Sequence, residues 1–196
     1  MSPRGVAIPD LRERLFAAAE RVVARDGAAA LTSRAITAEA DCGKGVLHTH
    51  FAGLDEFVAE LLLDRFARSA RQAEALEAKV GEGTVAGNLQ EVVLDLMEAL
   101  PAAVVGLAMT RPAAALHTRE GFQSGAPAFD AIQHAVTAYL QAEQHAGRIP
   151  AGSDTAAIAL ALVGTTHHLL MTRGPGRTAD TGATTQRLLA VLLGGG

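Results

Sequence analysis

Apolar residues recur along the chain at the spacing of helical turns, and sustained alternation between apolar and polar positions is almost absent. This pattern predicts an all-α protein. At the N-terminal end it predicts a first helix that Gly27 ends and a short second helix that begins after Thr32, a good N-cap. A break at residues 41–43 leads to a third short helix, and Gly53 ends that segment.

The rest of the pattern predicts a long fourth helix and a group of later helices. The fourth helix is expected from Leu54 to about Val80, followed by a loop over residues 81–87. Asn88 offers an N-cap for the next helix, with Glu91 at the capping-box position. The later helices are predicted over residues 101–119, 127–146, 154–173 and 181–193. Pro112 should kink or interrupt the first of them, and a loop is expected at residues 120–126.

The helix predicted over residues 154–173 is apolar on nearly every side, so every side has to be covered. A segment this close to the end of a 196-residue chain is not expected to be covered by its own chain alone. We therefore predict a homodimer that forms through the helices at about 154–173 and 181–193.

Composition limits the class of protein. The chain is 49% hydrophobic and 19% charged, which allows a buried core. No run reaches the roughly 18 consecutive apolar residues of a membrane span, and the first residues lack the apolar segment of a secretory signal. The single cysteine, Cys42, excludes internal disulfides and zinc sites built on cysteine pairs. We expect a cytoplasmic protein with no membrane association.

Charge argues against a protein that coats nucleic acid through bulk positive charge, because the net charge is −4. The excess of acidic residues is not spread evenly. Residues 1–55 carry seven basic and seven acidic side chains, so the whole deficit lies in the remainder of the chain. The N-terminal quarter is therefore the part best suited to local contacts with a polyanion.

Residues 32–51 combine a helix of about two turns, a tight break and a second short helix, which are the proportions of a helix-turn-helix. In that motif the second helix enters the major groove of DNA. Gly43 and Gly45 leave the start of this helix bare, so Lys44 and the backbone can approach phosphate closely. The residues expected to contact DNA, in phosphate or base roles that the pattern does not separate, are Thr32, Ser33, Arg34, Gly43, Lys44, Gly45, His48, Thr49 and His50.

Some of these positions have a second interpretation. His48 is either a hydrogen-bond donor to DNA or merely exposed, and His50 is expected to be partly structural. Cys42 is either a redox sensor beside Lys44 or a small buried hydrophobe, and the second interpretation is favoured.

The stretch Leu31–Phe51 resembles the helix-turn-helix signature of the TetR (tetracycline-repressor) family. The resemblance is specific over residues 10–63 and weaker at residues 147–154. It implies an N-terminal three-helix helix-turn-helix domain (residues 1–53), which the long fourth helix joins to a C-terminal helical ligand-binding and dimerisation domain (residues 54–196). It also implies a homodimeric repressor that a small effector releases from a near-palindromic operator.

Four positions depart from the pattern of that family. Asp41 stands where the turn usually has glycine, and Gly43 replaces a Ser or Thr cap. His48 takes the place of a phosphate-binding Tyr, and Leu54 the place of a Lys. Because each neutralised phosphate adds about 0.9 to the salt slope, these departures predict weaker or less salt-sensitive DNA binding than is typical of the family.

An effector site is expected among the helices of residues 85–170, where apolar side chains with a few polar tips occur, as in small-molecule sites. For any single residue, ordinary core packing is the alternative. The candidates are Met97, Met109, His117, Phe122, Phe129, His134, Tyr139 and His168. They favour an apolar or amphipathic effector.

Other chemistry finds little support in the residues. No two histidines are four residues apart, and His167 and His168 point about 100° apart on a helix, so no metal site is expected. The sequence lacks a nucleophile elbow, a P-loop and a dinucleotide-binding fingerprint, so we expect neither enzymatic activity nor a cofactor. The alternative that stays open is a helical interaction module that has lost DNA binding, which salt-dependent DNA affinity would distinguish.

Overall fold

Helices account for all the regular secondary structure in the part of the chain that the computed structural model describes, namely residues 10–99, 102–172 and 181–194. The predicted all-α class is confirmed. The α-helices of these residues are α1 (Leu11–Asp26), α2 (Ser33–Glu39), α3 (Val46–His50), α4 (Leu54–Glu74), α5 (Val85–Ala99), α6 (Ala102–Thr110), α7 (Pro112–Gln123), α8 (Phe129–His145), α9 (Thr155–Thr172) and α10 (Thr181–Gly194). Two 3₁₀ helices lie at Ala28–Ala30 and Ala75–Lys79.

The first three helices, which we call the head (residues 10–53), pack on the N-terminal half of α4 around one apolar core. Its centre is an aromatic group in which Phe57 lies 5.4 Å from Phe16 and 5.0 Å from Phe51 between ring centroids. Leu15, Ile36 and Leu47 are fully buried around these rings, so each short helix is attached through its apolar side. Burial of this kind, not intrinsic helicity, stabilises helices as short as α2 and α3.

The remaining helices, which we call the body (α5–α10), form a second apolar core with the C-terminal half of α4. Leu89, Ile132, Tyr139 and Leu162 are among its buried residues. The two cores meet at α6, whose Val104 and Leu107 pack into the core of the head. These two side chains of α6 therefore contact the same core that supports the helix-turn-helix.

Capping of α2 follows the sequence prediction. Thr32 has extended backbone angles, and its Oγ1 accepts a hydrogen bond of 3.1 Å from the backbone N–H of Ala35. Gly27 ends α1 with a φ of 83°, in the left-handed region that glycine adopts most readily. The predicted boundaries of α1 and α2 are confirmed.

Two predictions in the body were wrong. The helix α5 begins at Val85, because the Oγ1 of Thr84 accepts a hydrogen bond of 3.0 Å from the N–H of Gly87 and thereby acts as the N-cap. Asn88 lies inside the helix and does not cap it. The loop expected at residues 120–126 is shorter than predicted, because α7 continues to Gln123.

Pro112 interrupts the chain as predicted, since it stands at the start of α7. The long fourth helix ends earlier as an α-helix than expected, because the segment after Glu74 winds as a 3₁₀ helix to Lys79. Pro101, Arg173 and the loop at 174–176, to which the pattern also assigned places, lie outside the described residues.

The helix α9 packs on α8 with one side and leaves the other side open. Ile158 and Leu162 are buried, whereas Leu160 is 58% exposed and Met171 is 43% exposed. Among the described residues, α9 is the one helix long and apolar enough to cross a membrane, and 39% of it is buried in the protein. The exposed side of α9 thus carries large apolar side chains that no other described helix covers.

Candidate nucleic-acid interface and effector site

The turn between α2 and α3 brings the two short helices into the helix-turn-helix arrangement. Asp41 has a φ of 50°, so a residue with a side chain occupies the left-handed region at the position where glycine is usual. The chain then returns at Cys42, whose N–H donates to the carbonyl of Thr37 over 3.0 Å. The tight break predicted at residues 41–43 is confirmed, with strain at Asp41.

We expect Asp41→Gly to raise the free energy of unfolding by about 0.5–1 kcal/mol, because glycine adopts the left-handed conformation without strain. The greater conformational entropy of glycine in the unfolded chain offsets part of this stabilisation. Urea unfolding followed by circular dichroism measures the change. Asp41→Asn is the matched control, since it removes the charge and keeps a side chain in the same conformation, and it should leave stability nearly unchanged. A loss of stability in Asp41→Gly would contradict the strain.

The predicted DNA-contact residues lie at the surface on and around the two short helices, whereas Leu47 of α3 is buried. Ser33 is half-buried and the others are exposed. Two hydroxyl groups have a structural partner: Thr32 caps α2, and Thr49 donates to the carbonyl of Gly45 over 3.1 Å. His50, expected to be partly structural, is exposed instead.

The cations of the head are unequal in their availability. Within the described residues, Arg34 and Lys44 make no hydrogen bond or ion pair and both are exposed. The other four basic residues of the head are occupied: Arg12 bonds to Glu60, Arg14 to the carbonyl of Ala40 over 2.8 Å, Arg21 to Glu39 over 2.8 Å and Arg25 to Asp26 and Glu39. The two free cations are those of the helix-turn-helix motif.

Among the described residues, local pairing leaves two cations free in a head without net charge. The carboxylate of Glu39 accepts from both Arg21 and Arg25, and these hydrogen bonds, that of Arg21 first, hold its pKa below the usual range. Acidic and basic side chains thus pair with each other beside α1, while Arg34, Lys44 and the Asp41 carboxylate at the motif make no ion pair with any described residue. Residue counts alone hide this separation.

A buried arginine attaches α1 to α4, and sequence reasoning missed it. Arg65 is 3% exposed and donates to Glu20 over 2.7 Å, to Glu13 over 2.9 Å and to Asp64 over 2.8 Å. Burial lowers the pKa of its guanidinium, but the hydrogen bonds to Glu20 and Glu13 outweigh that effect and raise the pKa overall. The sequence does contain one sign of this burial, because Arg65 follows Leu61 by four positions and therefore lies on the apolar side of α4.

The start of α4 carries no cation that could replace the lysine of the family pattern. Leu54 is half-buried against the core of the head. The carboxylate of Glu56 accepts from the N–H of Ala52. Asp55 pairs over 2.6 Å with Arg111, which lies between α6 and α7. This end of α4 therefore attaches the head to the body and adds no free positive charge for DNA.

A cleft of about 610 Å³ opens between α1, α4 and α5. Glu20 and Arg65 line one wall, where they are bonded to each other, and Asp95 and Glu98 line the other. Neither Asp95 nor Glu98 bonds to another described residue. This charged lining does not match the apolar effector that the sequence favours.

The predicted effector residues separate into two groups in the structure. Met97 and Tyr139 are buried in the body, and Phe122 and Phe129 are half-buried beside them. Phe66 of α4, which sequence reasoning did not select, joins the two phenylalanines, with ring centroids 5.3 Å and 5.0 Å away. The other predicted residues lie apart: His117, His134 and His168 are exposed, and the side chain of Met109 lies outside the described residues.

Tyr139 belongs to a buried polar network at the end of α8. Its hydroxyl oxygen accepts from the Nδ2 of Asn88 over 2.9 Å. The fully buried carboxylate of Glu143 pairs with Arg148 over 3.2 Å and accepts from the N–H of Gly81 over 3.2 Å. Burial raises the pKa of Tyr139 to about 12; the hydrogen bond from Asn88 lowers this pKa, and the neighbouring Glu143 carboxylate raises it.

Tyr139 is the only tyrosine of the chain, so its ionisation can be followed by tyrosinate absorbance. We expect a midpoint near pH 12 in the folded protein and near the ordinary value of 10 in urea. Because the folded state retains the proton longer, its stability should fall as pH rises from about 10 through 12. A midpoint near 10 in the folded protein would show that the hydroxyl is not buried.

The described residues contain no group of three or more His, Cys, Asp or Glu side chains arranged to hold a metal ion. Tyr139 also lines a groove of about 310 Å³ between α8 and the 3₁₀ helix at Ala75–Lys79, next to Val80 and Ala138. Its lining is mixed, because the small apolar residues of α8 face Glu74 and Glu77 across the groove.

Comparison with known proteins identifies the helix-turn-helix. Residues 15–61 match the family model of bacterial regulatory proteins of the tetR family. No curated protein sequence matches the chain.

Solved structures resemble the chain over nearly its whole length. The fatty acid degradation regulator FadR of Bacillus halodurans is 18% identical, with a TM-score of 0.63 over 98% of this chain and 97% of FadR. FadR of Bacillus subtilis, solved in complex with stearoyl-CoA, is 17% identical, with a TM-score of 0.61 over 93% of this chain and 98% of that one. The TetR transcriptional regulator SCO0520 of Streptomyces coelicolor is 24% identical, with a TM-score of 0.57 over 94% of this chain and 97% of that one. At these identities the similarity is one of fold.

Proposed function

We propose that the chain is a DNA-binding transcriptional regulator of the tetR family and acts as a homodimeric repressor, because residues 15–61 match the family model and the fold extends over the whole length of such regulators. In this proposal a small apolar or amphipathic effector binds to the body and releases the protein from a near-palindromic operator. The observation that carries the proposal is the pair of free cations, Arg34 and Lys44, on the exposed side of the helix-turn-helix. We assign DNA binding to residues 1–53 and effector binding and dimerisation to residues 54–196.

The bare side of α9 supports the homodimer. Leu160 and Met171 on α9 and Val191 on α10, which is 72% exposed, are large apolar side chains at the surface of the two helices expected to form the interface. A second copy of the same face would cover it in a two-fold symmetric interface. Two heads set one helical turn of DNA apart, or a multiple of it, would then contact the two half-sites of an operator.

The effector class is supported by the aromatic group of the body. Phe66, Phe122 and Phe129 present three rings where α4, α7 and α8 meet, a lining suited to apolar ligands. FadR of Bacillus subtilis, which has the same fold, was solved with stearoyl-CoA. Release follows if the effector has a higher affinity for a head spacing that no longer matches the operator. The contacts of α6 with the core of the head offer a route for that coupling.

We assign no catalytic role to the chain and place it in the cytoplasm, where a regulator meets DNA. The apolar length of α9 is accounted for in this proposal by the packing on α8 and by the partner subunit.

The second candidate function is a helical interaction module without DNA binding. Leu54 favours that alternative, because the corresponding lysine of the family pattern is missing.

Salt-dependent binding separates the two candidates. We expect Lys44→Ala to weaken binding to the operator by roughly tenfold or more, because each protomer loses a charge-assisted hydrogen bond to phosphate. The salt slope should fall by about 0.9 for each Lys44 removed. Fluorescence anisotropy on DNA that flanks the protein's own gene, at several salt concentrations, measures both quantities.

Arg71→Ala is the matched control for this experiment. Arg71 is exposed near the far end of α4 and makes no bond within the described residues, so its loss changes the net charge equally without touching the motif. Equal losses of affinity in both variants would remove the special role of Lys44. A folded dimer with no preference over random DNA would overturn the regulator proposal in favour of the interaction module.

A further inference from the structure

Thr49 occupies the outermost position of α3. Leu47 is fully buried and marks the side of the helix that faces the core of the head. Since consecutive helical residues are about 100° apart, Thr49 lies about 200° around the helix from Leu47, almost directly opposite the core. His48 lies to one side at about 100°. Thr49 is therefore the side chain of α3 that would reach deepest into a groove.

The hydroxyl of Thr49 is already committed to its own helix. Its Oγ1 donates to the carbonyl of Gly45 over 3.1 Å. With the oxygen turned back along the helix, the γ-methyl group is the part of this exposed side chain that is left for a contact. Thr49 therefore presents an apolar tip at the centre of a surface whose other side chains are polar or charged.

The position one turn earlier leaves room for a base edge. Gly45 has no side chain, and a Cβ placed on it would meet no other atom within 4 Å. Gly43 and Gly45 thus keep the approach to Thr49 free of side chains on the N-terminal side of the helix. A flat base edge can come close to the methyl group without steric conflict.

We propose that Thr49 recognises a thymine in each half-site of the operator through contact of its γ-methyl group with the C5-methyl of the base. Thymine is the one base that presents a methyl group in the major groove, so an apolar tip in this place distinguishes T·A from the other pairs. The inference rests on the proposed DNA-binding function and adds a base preference to it. It also gives Thr49 a base role, as distinct from a phosphate role.

Replacing thymine by uracil tests the contact directly, since uracil differs only in lacking the C5-methyl. The operator is first selected from random duplexes by the full-length dimer, and each thymine of the half-site is then replaced in turn by uracil. We expect one position per half-site at which the dissociation constant rises about fourfold, the change that one buried methyl group produces, and little change at the other positions.

Two variants separate the methyl group from the hydroxyl. Thr49→Val keeps the methyl and loses the hydroxyl, so it should keep both the affinity and the preference for thymine over uracil. Thr49→Ser keeps the hydroxyl and loses the methyl, so it should bind the two bases equally. Thr110→Ser is the matched control, because Thr110 is exposed and makes the same bond to a glycine carbonyl, with Gly106 over 3.1 Å.

Three results would overturn the inference while leaving the proposed function intact. These are a selected operator that no uracil substitution weakens, a Thr49→Ser variant that still prefers thymine, and a Thr49→Val variant that loses affinity although its circular dichroism is unchanged. Failure to select any sequence would instead overturn the proposed function, and the base preference with it.

Discussion

Replacing Leu160 by arginine is expected to convert the protein into a monomer and to lower its affinity for operator DNA by about a hundredfold or more. Leu160 is 58% exposed in the single chain, on the bare side of α9. In the proposed two-fold interface the new guanidinium would be buried in an apolar contact and would face its symmetry copy nearby, and both effects oppose association. A monomer has only one head for the operator, so the gain from binding two half-sites at once is lost.

Sedimentation velocity gives the mass and fluorescence anisotropy gives the affinity of the same sample. Leu116→Arg is the matched control, because Leu116 is 53% exposed and belongs to α7, outside the proposed interface. That variant should remain dimeric and should bind as the parent does. If Leu160→Arg sediments as a dimer, the interface lies elsewhere and the bare side of α9 needs another explanation.

Replacing Arg65 by methionine is expected to lower the free energy of unfolding by about 2–3 kcal/mol, the second large effect. Methionine fills a similar volume, but Glu20 and Glu13 lose their common partner, and removal of one member of a buried ion pair typically costs 3–5 kcal/mol. The estimate is lower here because the Glu13 side chain is 48% exposed and water can solvate it. Urea unfolding at one protein concentration measures the change, because the stability of a dimer depends on concentration.

Arg68 supplies the comparison for that variant. Its side chain is 50% exposed and bonds to Glu13 alone, over 3.2 Å, so Arg68→Met should cost less than about 1 kcal/mol. Arg65→Lys should recover only part of the loss, because one ammonium group cannot make the paired bonds to both Glu13 and Glu20. Equal stability of Arg65→Met and the parent would show that the two glutamates do not need the guanidinium.

The helix-turn-helix could be predicted from the sequence because its determinants act over a few residues. Thr32 caps the helix that follows it directly, and Gly27 ends the helix that precedes it. The turn at Asp41 was predicted from its neighbours as well, although only the structure showed that this residue takes the left-handed conformation. Short-range hydrogen bonds and local backbone preferences are sufficient at all three positions.

The start of α5 could not be predicted, because the sequence offers two possible caps. Thr84 and Asn88 are both good N-cap residues, and the local pattern favoured Asn88 with Glu91. In the folded chain Thr84 caps the helix, and Asn88, which lies inside it, donates its Nδ2 to Tyr139, 51 residues further on. Two local signals of similar strength do not specify which residue caps the helix and which takes part in a tertiary hydrogen bond.

The effector candidates show the same limit. A pattern of apolar and histidine residues at helical spacing cannot say which of them converge, and His117, His134 and His168 prove to be exposed. Phe122 and Phe129 do converge, but only through Phe66, which belongs to another helix and had no local mark of function. Convergence depends on how α4, α7 and α8 cross, and side-chain spacing within each helix does not specify that crossing.

Local sequence was therefore sufficient for the class of fold, for the helices of the head and for the placement of the helix-turn-helix, since capping, glycine stops and apolar periodicity act within one or two turns. Tertiary structure decided which charges are free. Arg65 is neutralised by Glu20 from 45 residues away, and Arg12 by Glu60 from 48 residues away, whereas Arg34 and Lys44 meet no carboxylate. Ion pairing depends on distances in space between residues that are far apart in the chain, and only the folded molecule sets those distances.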